Sequence, residues 1–416
     1  MKKIKISQVA KINSDSIKGN IEDTILYLDT SSVTKGIFSE PQILNSKNDK
    51  IPSRAKRKVR ENTILISTVR PNLCHFGIIK KPKKNLIVST GFVTIDASPE
   101  LIDANYLYYL LTSNDTIKYL DKIASTSVSA YPSFTPNDIK NYEISIIENI
   151  NFQKKIGNLL YKIEEKIELN NKINSELEAM AKTIYDYWFL QFEFPNEEGK
   201  PYKSSGGKMV WNEELKREIP EIFQNLLLKE IKNISVITGK TPSTKDETNF
   251  GNEVPFITIE DLRENVFVVN TKRKLSKKGA NAQEKKYIPS GSICVSCIAT
   301  IGEIAITTET SQTNQQINSV ICGGEEIRNY LYFYLKNIFL NFKVKSGNIF
   351  SNMNKEEFES VKILLPTENI LVKFSKIISL ILSKIEVNTK ENQELTSLRD
   401  FLLPLLMNGQ VGFKEE

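Results

Sequence analysis

The chain has 416 residues, more than one ordinary domain holds and enough for two or three. Its apolar share of 40% is that of a soluble globular protein, and its longest apolar run, "IISLIL", is far too short to cross a bilayer, so the composition predicts a folded, cytoplasmic protein without a membrane span. The net charge of +6 is mild, and four cysteines with one histidine are too few for a disulfide framework or a complete zinc site, so Cys294 and Cys297 of "CVSC" are expected to be apolar strand residues.

The first 150 residues alternate strand and helix signals. Short runs rich in β-branched residues predict strands at "TILISTV", "NLIVSTGFVTI" and "YEISII", and the stretch from Pro99 to Ala124 predicts a helix. The segment "SRAKRKVR" carries five basic residues in eight, and "KKPKK" carries four in five. Basic clusters on a nearly balanced chain indicate surfaces that face phosphate, although a solvated surface explains any single cluster equally well.

A long amphipathic helix is predicted over residues 151–193. Apolar residues recur in steps of four and three from Ile156 to Trp188, a 3.5-residue period that is typical of a coiled-coil seam. Asn170 and Asn174 occupy two seam positions. Asparagine in a seam costs stability but fixes register, because a slipped pairing buries an amide against hydrocarbon. The composition of "FPNEEGKPYKSSGGK" then predicts a linker over residues 194–222.

The second half repeats this organisation. Strand signals at "VPFITI", "SICVSC", "EIAITT" and "VKILLP", with a helix signal from Glu325 to Lys345, predict a second globular domain over residues 223–366, and "TKRKLSKK" and "EKKY" are its basic clusters. A second seam helix is predicted over residues 367–412, ended by Pro404, Gly409 and Gly412. "TGKTPS" looks like the end of a phosphate-binding P-loop, but Ile234 stands where that motif needs a glycine, which favours a β-turn at a strand end.

The two long helices are copies of each other. Residues 152–178 and 370–396 align without a gap at an offset of 218, which places Asn388 and Asn392 at the seam positions of Asn170 and Asn174. We therefore predict an α+β protein with a pseudo-two-fold internal repeat, in which residues 1–150 and 223–366 form similar domains joined by two long helices that pair as an antiparallel coiled coil. The alternative is two long helices that each pack on their own domain.

Motifs for catalysis are missing from the sequence. No Pro-Pro pair is available for the base-clamping loop of a DNA methyltransferase, no aligned carboxylates suggest a nuclease, and a catalytic dyad could use only His75. The sequence thus predicts a protein that binds rather than catalyses. A fused nuclease or methyltransferase, and a coiled-coil scaffold that binds only protein, are the competing interpretations.

Over nearly its whole length the chain resembles the specificity subunits of type I restriction-modification systems. The stretches that carry the resemblance are "SRAKRKVRENTILISTVRPNL", "YPSFTPNDIKNYEI", "FQKKIGNLLYKIEEKIELNNKINSELEAMAKTIYDYWF", "TGKTPS", "VPFITIEDL" and "IPSGSICVSCIATIGEIAI". The resemblance implies a non-catalytic subunit whose two target-recognition domains each recognise one half of a bipartite, asymmetric site on double-stranded DNA. It also implies that the helices set the spacer between the halves and dock two modification subunits that methylate adenine at N6.

The resemblance implies no cofactor in this chain. S-adenosylmethionine, ATP and Mg are expected in the modification subunits and in the restriction subunits, which cleave DNA. A silent or recombining specificity cassette without active partners remains an alternative within the family.

Phosphate and base contacts are expected mainly from basic residues of both domains: Arg54, Lys56, Arg57, Arg70, Asn72, Lys240, Lys272, Arg273, Lys285 and Lys286. Asn72 in "RPN" is a candidate base contact, but "RPNL" belongs to the family pattern, and residues shared by proteins with different DNA sites are more often structural. The same argument applies to Asn314 and Gln315. Contacts with partner subunits are expected from Tyr185, Tyr187 and Phe189, unless these aromatic residues cap the end of the coiled coil.

Overall fold

The computed structural model divides the chain into two compact units, residues 166–394 and residues 1–165 together with the chain from residue 395 onward. It describes residues 1–18, 23–126, 131–346 and 352–413, with side chains as far as residue 340 in the helix that ends at Ser346. Each unit contains one globular domain and a part of each long helix. The boundary between the units therefore falls within the helices rather than at their ends.

The elements of the first unit follow in chain order. Its strands are β1 (Lys2–Lys5), β2 (Ala10–Ile12), β3 (Thr24–Leu28), β4 (Val33–Thr34), β5 (Ile37–Phe38), β6 (Gln42–Asn45), β7 (Ala55–Lys58), β8 (Thr63–Ser67), β9 (Phe76–Ile79), β10 (Leu86–Ser89), β11 (Phe92–Ala97) and β12 (Glu143–Ile146). Its helices are α1 (Ile6–Val9), α2 (Ala104–Leu111), α3 (Asn114–Ser125), α4 (Pro136–Asn141) and the beginning of α5 (Ile150–Tyr185).

Two four-stranded sheets build the first domain, in the orders β2-β11-β8-β9 and β6-β3-β10-β7. The first sheet is antiparallel throughout, whereas β3 and β10 run parallel in the second. Strand β8 is buried along its whole length because successive side chains point to opposite faces and both faces are covered. Ile64 and Ile66 pack in a core with Tyr106 of α2, and Leu65 packs in another with Val88.

The elements of the second unit continue the numbering. Its strands are β13 (Met209–Asn212), β14 (Arg217–Pro220), β15 (Gln224–Leu227), β16 (Ile234–Thr238), β17 (Phe250–Ile257), β18 (Phe267–Val268), β19 (Arg273–Leu275), β20 (Ile293–Ser296), β21 (Ile304–Thr307), β22 (Gln312–Thr313), β23 (Ile317–Cys322) and β24 (Lys362–Leu365). Its helices are α6 (Ile259–Leu262), α7 (Lys277–Asn281), α8 (Glu325–Ser346), α9 (Lys355–Glu359) and the beginning of α10 (Glu368–Met407).

The second domain repeats the topology of the first. Its main sheet has the order β16-β23-β20-β21-β18, in which the first four strands match β2-β11-β8-β9 and pair antiparallel in the same way. Strand β15 pairs antiparallel with β24, as β1 does with β12. A helix follows the last of the four matched strands along the chain in both domains, α2 after β11 and α8 after β23. The prediction of two similar α+β domains is therefore confirmed.

The long helices α5 and α10 pair antiparallel. In the second unit, the Asn170 side-chain amide donates to Asn392 Oδ1 at 2.9 Å and that of Asn388 donates to Asn174 Oδ1 at 2.8 Å. The residue numbers of the partners on α10 thus fall as those on α5 rise, which is the pattern of an antiparallel pair. Asn170 and Asn388 are each 1% exposed, so these amides lie inside the apolar seam. The prediction of an antiparallel pair is confirmed, and the alternative that each helix packs only on its own domain is wrong.

Three predicted element boundaries need correction. The helix expected from Pro99 to Ala124 is interrupted after α2, because the Ser113 side chain caps the next helix by accepting the Thr116 N–H. The strand expected at "NLIVSTGFVTI" is two strands, β10 and β11, which belong to different sheets. Pro404 does not end α10, which continues to Met407. Burial of Leu406 and Met407 in the first unit stabilises this last turn despite the missing proline N–H.

Residues 194–222, predicted as a linker from their composition, belong to the second unit and contribute to its core. They contain the hairpin of β13 and β14, in which Val210 pairs with Ile219. Phe194 and Ile219 are 1% and 4% exposed and lie in the same core as Phe223. Polar and glycine residues here form turns on a segment that is anchored by a few buried side chains.

Candidate nucleic-acid interface

The predicted DNA-contacting residues of the first domain converge on the turn between β10 and β11. The N–H of Thr90, in this turn, donates to the Arg54 carbonyl oxygen at 2.8 Å. Arg57 Nε donates to the Phe92 carbonyl oxygen at 3.0 Å. These bonds hold the basic segment around β7 beside the turn, although more than 30 residues separate them in the chain.

Two further loops meet this turn. The Thr68 N–H, at the end of β8, donates to the Gly91 carbonyl oxygen at 2.9 Å, and the Thr68 carbonyl oxygen accepts the Phe134 N–H at 3.1 Å. Val69 and Ser133 form an isolated bridge next to these bonds. Residues 68–75, 89–91 and 131–134 therefore make one surface, which we name the three-loop cluster of the first unit.

Arg70 lies at the tip of this cluster in an unusual backbone conformation. Its φ of 48° is in the left-handed region, which non-glycine residues seldom adopt. The Arg70 N–H donates to the Pro132 carbonyl oxygen at 2.9 Å, and the guanidinium carbon lies 5.3 Å from the centroid of the Tyr131 ring. Arg70 and the neighbouring Asn72 are exposed. The loop thus presents a cation and an amide to solvent from an anchored backbone.

The second unit contains an equivalent three-loop cluster, formed by residues 297–303, 314–316 and 352–353. The Cys297 N–H donates to the Gln316 carbonyl oxygen and the Cys297 carbonyl oxygen accepts the Met353 N–H, each at 2.8 Å. Ile298 and Asn352 form the isolated bridge that matches the bridge between residues 69 and 133. The same backbone framework thus occurs twice.

Gly239 of "TGKTPS" brings basic residues to the second cluster. A Cβ atom at this position would lie 2.2 Å from the Asn314 carbonyl oxygen, so only glycine allows the two backbones to approach. The next residue, Lys240, donates its N–H to the Thr313 carbonyl oxygen at 2.9 Å. The buried Gln283 amide donates to the Lys240 carbonyl oxygen at 2.9 Å. Close packing of loops, rather than phosphate binding, accounts for this glycine.

The predicted DNA-contacting side chains differ in how exposed they are to solvent. Eight of the ten are exposed: Arg54, Lys56, Arg70, Asn72, Lys240, Lys272, Arg273 and Lys285.

Besides Arg70, four of the predicted contacts have side-chain or backbone partners inside their own unit: Arg57, Lys272, Arg273 and Lys286. Arg57 is half-buried, which lowers the pKa of its guanidinium, and it donates to a carbonyl oxygen. Lys286 Nζ donates to the Thr238 carbonyl oxygen at 2.9 Å. Lys272 pairs with Glu260 at 2.7 Å, and this carboxylate raises the pKa of the lysine. Arg273 is exposed, and its guanidinium carbon lies 4.7 Å from the centroid of a phenylalanine ring.

The sequence and the fold match one protein family over most of the chain. The model of the type I restriction modification DNA specificity domain matches residues 1–179 and 220–397. The chain is 30% identical to the type I restriction enzyme HindI specificity subunit of Haemophilus influenzae over 99% of both chains. It belongs to the type I specificity-subunit family. It is also 26% identical to the MjaIX specificity subunit of Methanocaldococcus jannaschii, covering 85% of this chain and 79% of that one.

A solved structure supports the fold of this specificity-subunit family member. The crystal structure of the type I restriction-modification S subunit from M. genitalium covers 98% of this chain and 96% of its own, with a TM-score of 0.61 and 16% identity. Each of the two segments matched by the family model contains a strand framework and a part of a long helix. The family is defined by DNA sequence specificity, which agrees with exposed basic residues near both three-loop clusters.

Two of the three aromatic residues expected to contact partner subunits lie in the core instead. Tyr185 and Phe189 are 1% and 4% exposed and pack on Phe374 and Tyr330. The α-helix passes into a π-helical turn over Asp186–Leu190, which changes the direction of the side chains after Tyr185. Tyr187 remains 40% exposed. Tyr185 and Phe189 therefore fit the alternative role given for these aromatic residues, which was to cap the end of the coiled coil.

The two cysteines of "CVSC" lie in the core of the second unit. Cys294 and Cys297 are buried at β20, and burial raises the pKa of their thiols to about 12 and about 11. Within residues 1–18, 23–126, 131–346 and 352–413, no three His, Cys, Asp or Glu side chains are grouped to hold a metal ion. No helix in these ranges is both long and apolar enough to cross a membrane.

Proposed function

We propose that this chain is the DNA sequence-specificity subunit of a type I restriction-modification complex and that each globular domain recognises one half of a bipartite, asymmetric DNA site. The observation that carries the proposal is the duplicated three-loop cluster. Its backbone hydrogen bonds are the same in both units, but the exposed residues around them differ. Two copies of one frame with different side chains suit the recognition of two different half-sites.

The paired helices set the spacer between the half-sites in this proposal. A coiled coil holds a fixed length because every residue adds about 1.5 Å and a slip of register would separate buried polar partners. The Asn170–Asn392 and Asn174–Asn388 pairs oppose such a slip. Half-sites that are roughly 34 Å apart present their major grooves on the same side of the duplex.

The helices also dock two modification subunits, which methylate adenine at N6. Support comes from exposed apolar residues that the repeat places at matching positions. Leu169 and Val387 are 52% and 53% exposed, and Met180 and Leu398 are 55% and 46% exposed. Each pair is separated by the 218-residue offset of the repeat. Equivalent apolar patches on both helix copies suit two copies of one partner, and exposed apolar groups at shared positions are a common feature of protein interfaces.

The chemistry belongs to the partners in this proposal. The modification subunits use S-adenosylmethionine, and restriction subunits use ATP and Mg to move along DNA and cleave it. This chain contributes recognition and positioning, since the residues that converge in its clusters are cations, amides and aromatic rings rather than grouped carboxylates or an activated nucleophile.

Deletion of the gene followed by single-molecule mapping of N6-methyladenine tests the proposal. Loss of methylation on both strands of one motif, with two short defined halves around a fixed number of unspecified bases, is the expected result. An unchanged methylome would contradict the proposal and favour a silent or recombining cassette. A scaffold that binds only protein predicts in addition that the purified chain has no salt-dependent affinity for DNA.

A further inference from the structure

The two three-loop clusters can be compared position by position, because their backbone hydrogen bonds match. Thr68 and Cys297 make the equivalent bonds, so two residues later Arg70 matches Ala299. Both of these residues have left-handed backbones, with φ values of 48° and 66°. The framework therefore keeps a strained position at the tip of the hairpin while its side chain changes. Strained positions that persist in both copies are typical of sites whose direction matters for binding.

At the matched position in the second loop, the longer side chain belongs to the second cluster, whereas at the hairpin tip it belongs to the first. Gly91 and Gln316 are the equivalent acceptors, so the preceding residues, Thr90 and Gln315, also match. The first cluster thus has a long polar side chain at the hairpin tip and a short one in the turn. The second cluster has a short side chain at the tip, at Ala299, and a long polar one in the turn. Each cluster presents one long hydrogen-bonding side chain from one of two equivalent positions.

We propose that Arg70 and Gln315 are the residues of the two domains that contact base edges, Arg70 at a guanine of one half-site and Gln315 at an adenine of the other. The inference rests on the proposed function and specifies the residues responsible for it. It replaces the expectation that residues of "RPNL" and Gln315 are structural, because the other copy of the framework has a different side chain at each equivalent position, Ala299 for Arg70 and Thr90 for Gln315. An arginine fork matches the O6 and N7 acceptors of guanine in the major groove, and a glutamine amide matches the N6 donor and N7 acceptor of adenine.

The surroundings of Arg70 fit this role. Its guanidinium packs against the Tyr131 ring with 5.3 Å between guanidinium carbon and centroid, which orients the plane without consuming the N–H donors. In the part of the chain that the structure describes, no carboxylate lies within ion-pair distance of Arg70, in contrast to Arg60, which pairs with Asp96 at 2.8 Å. The arginine fork therefore remains available to a base.

Gln315 is exposed and is oriented by one neighbour. Its Oε1 accepts the Thr241 hydroxyl at 2.5 Å. A carbonyl oxygen has a second lone pair, which can accept the adenine N6–H while the Nε2 group donates to N7. Lys240, the residue before Thr241, is exposed beside the same cluster and can neutralise a phosphate near that base. Gln315 thus has the geometry of a base contact beside an exposed lysine.

The test maps N6-methyladenine in a modification-deficient host that carries the full chain and the modification subunit of its locus. The variants are Arg70→Ala, Gln315→Ala and, as a matched control, Arg54→Ala. Ala299 shows that alanine adopts the left-handed backbone at the equivalent position, so Arg70→Ala is expected to keep the tip folded. Arg70→Gly, which removes any strain, is the second variant at this position.

Arg70→Ala and Arg70→Gly are expected to make one guanine position of one half-site degenerate, with about a 5-fold to 150-fold loss of discrimination there. Gln315→Ala is expected to relax one adenine position in the other half-site. Arg54→Ala should lower methylation at all sites without relaxing any position, because a phosphate contact carries no sequence information.

Two outcomes overturn the assignment, and they are distinguishable. If the wild-type chain directs methylation to a bipartite motif and the variants at residues 70 and 315 keep the same strict motif, the proposed function stands and the base contacts are wrong. If the wild-type chain directs no motif, the proposed function fails and the assignment fails with it.

Discussion

Burial and local partners decide which basic residues can meet DNA. Arg54 and Arg57 lie three positions apart at β7, but only Arg54 is exposed, whereas Arg57 spends its Nε donor on the Phe92 carbonyl oxygen. The sequence shows both as members of one basic run. It cannot show which side of a strand faces the interior when both sheets of a domain contribute to the core.

The buried carboxylate of Asp96 makes the stability of the fold depend on pH. Asp96 is a β11 residue whose side chain is 10% exposed. Burial alone would raise its pKa, but hydrogen bonds from Arg60, Ser14 and Thr63 lower it below its ordinary value. A lowered folded-state pKa means that the ionised group stabilises the fold above the unfolded pKa, and that this contribution is lost as the pH falls through the folded value.

Asp96→Asn is therefore expected to destabilise the protein by about 2 kcal/mol at pH 7, because three donors lose a charged acceptor. The difference from wild type should stay constant down to about pH 5 and narrow below about pH 4, where the carboxyl of the unfolded wild-type chain begins to be protonated while that of the folded protein is still ionised. Urea unfolding followed across this range measures it. Asp23→Asn, which removes an exposed pair with Lys47 at 2.9 Å, is the control and should change stability little. A difference that does not narrow in acid would contradict the mechanism.

At the scale of elements, the long helices were predictable and the loops were not. The seam is visible because one period repeats over many residues, and the asparagines stand out because they interrupt an apolar pattern twice at the same offset. The turn at Thr90 and Gly91 was hidden inside an apolar run that continues from one sheet into the other. The contact of Thr68 with Gly91 and Phe134 depends on the folded topology, which no local pattern encodes.

The asparagine pairs in α5 and α10 should show coupled energetics. Asn170 donates to Asn392 Oδ1 at 2.9 Å and to Glu391 Oε2 at 2.8 Å inside a largely apolar seam. Asn170→Ala and Asn392→Ala are each expected to cost about 1–3 kcal/mol, because each breaks the hydrogen bond between the buried Asn170 amide and the half-buried Asn392. The double variant should cost about 1 kcal/mol less than the sum of the two.

Chemical unfolding of the four proteins in this double-mutant cycle measures the coupling. Lys172→Ala, on the exposed side of α5, is the control and should change stability by less than about 0.5 kcal/mol. Additive costs for Asn170→Ala and Asn392→Ala would show that the pair does not act as a unit and would remove the argument that it fixes register.

The exposed apolar residues of the helices give a prediction for partner binding. Met180→Lys and Leu398→Lys place a charge at equivalent positions of the repeat, each on a side chain that is about half exposed. Each variant is expected to lose one of the two bound modification subunits, with about a 10-fold or greater loss of affinity, because an apolar contact is replaced by a desolvated cation.

Native mass spectrometry of the complex, reconstituted from the purified chain and the modification subunit of its locus, counts the bound copies. Glu168→Ala, an exposed polar position on α5, is the matched control and should keep two copies. Retention of two copies by both lysine variants would contradict docking through these residues, whereas loss of both copies from one variant would contradict equivalent sites.

For the whole molecule, the duplicated module explains why fold and function could be predicted further than the site. An internal repeat can be detected from any part of the framework. The buried strands and the seam helices keep the same pattern of apolar residues in both copies. Residues that contact DNA lie on loops, where the two copies differ: Arg70 matches Ala299, and Thr90 matches Gln315. Comparison of the copies therefore identifies these positions only after the backbone hydrogen bonds align them.

The number of unspecified bases between the two half-sites should depend on the length of the paired helices α5 and α10. Insertion of one heptad between Glu165 and Lys166 of α5, with a matching heptad between Glu394 and Leu395 of α10, preserves the seam period and the asparagine pairs. Seven residues add about 10 Å of helix, which corresponds to roughly three base pairs of DNA. The methylated motif is expected to keep both half-sites and to gain about three unspecified bases, with lower activity because the duplex also rotates.

A heptad inserted in α5 alone is the control. This insertion shifts part of α5 along α10, so that buried amides would face apolar side chains. It should therefore abolish methylation rather than change the length of the spacer. Mapping of N6-methyladenine distinguishes the cases. A motif with the original spacer in the paired insertion would mean that the helices do not set it, and recognition of the two halves would then have to be positioned by the partner subunits.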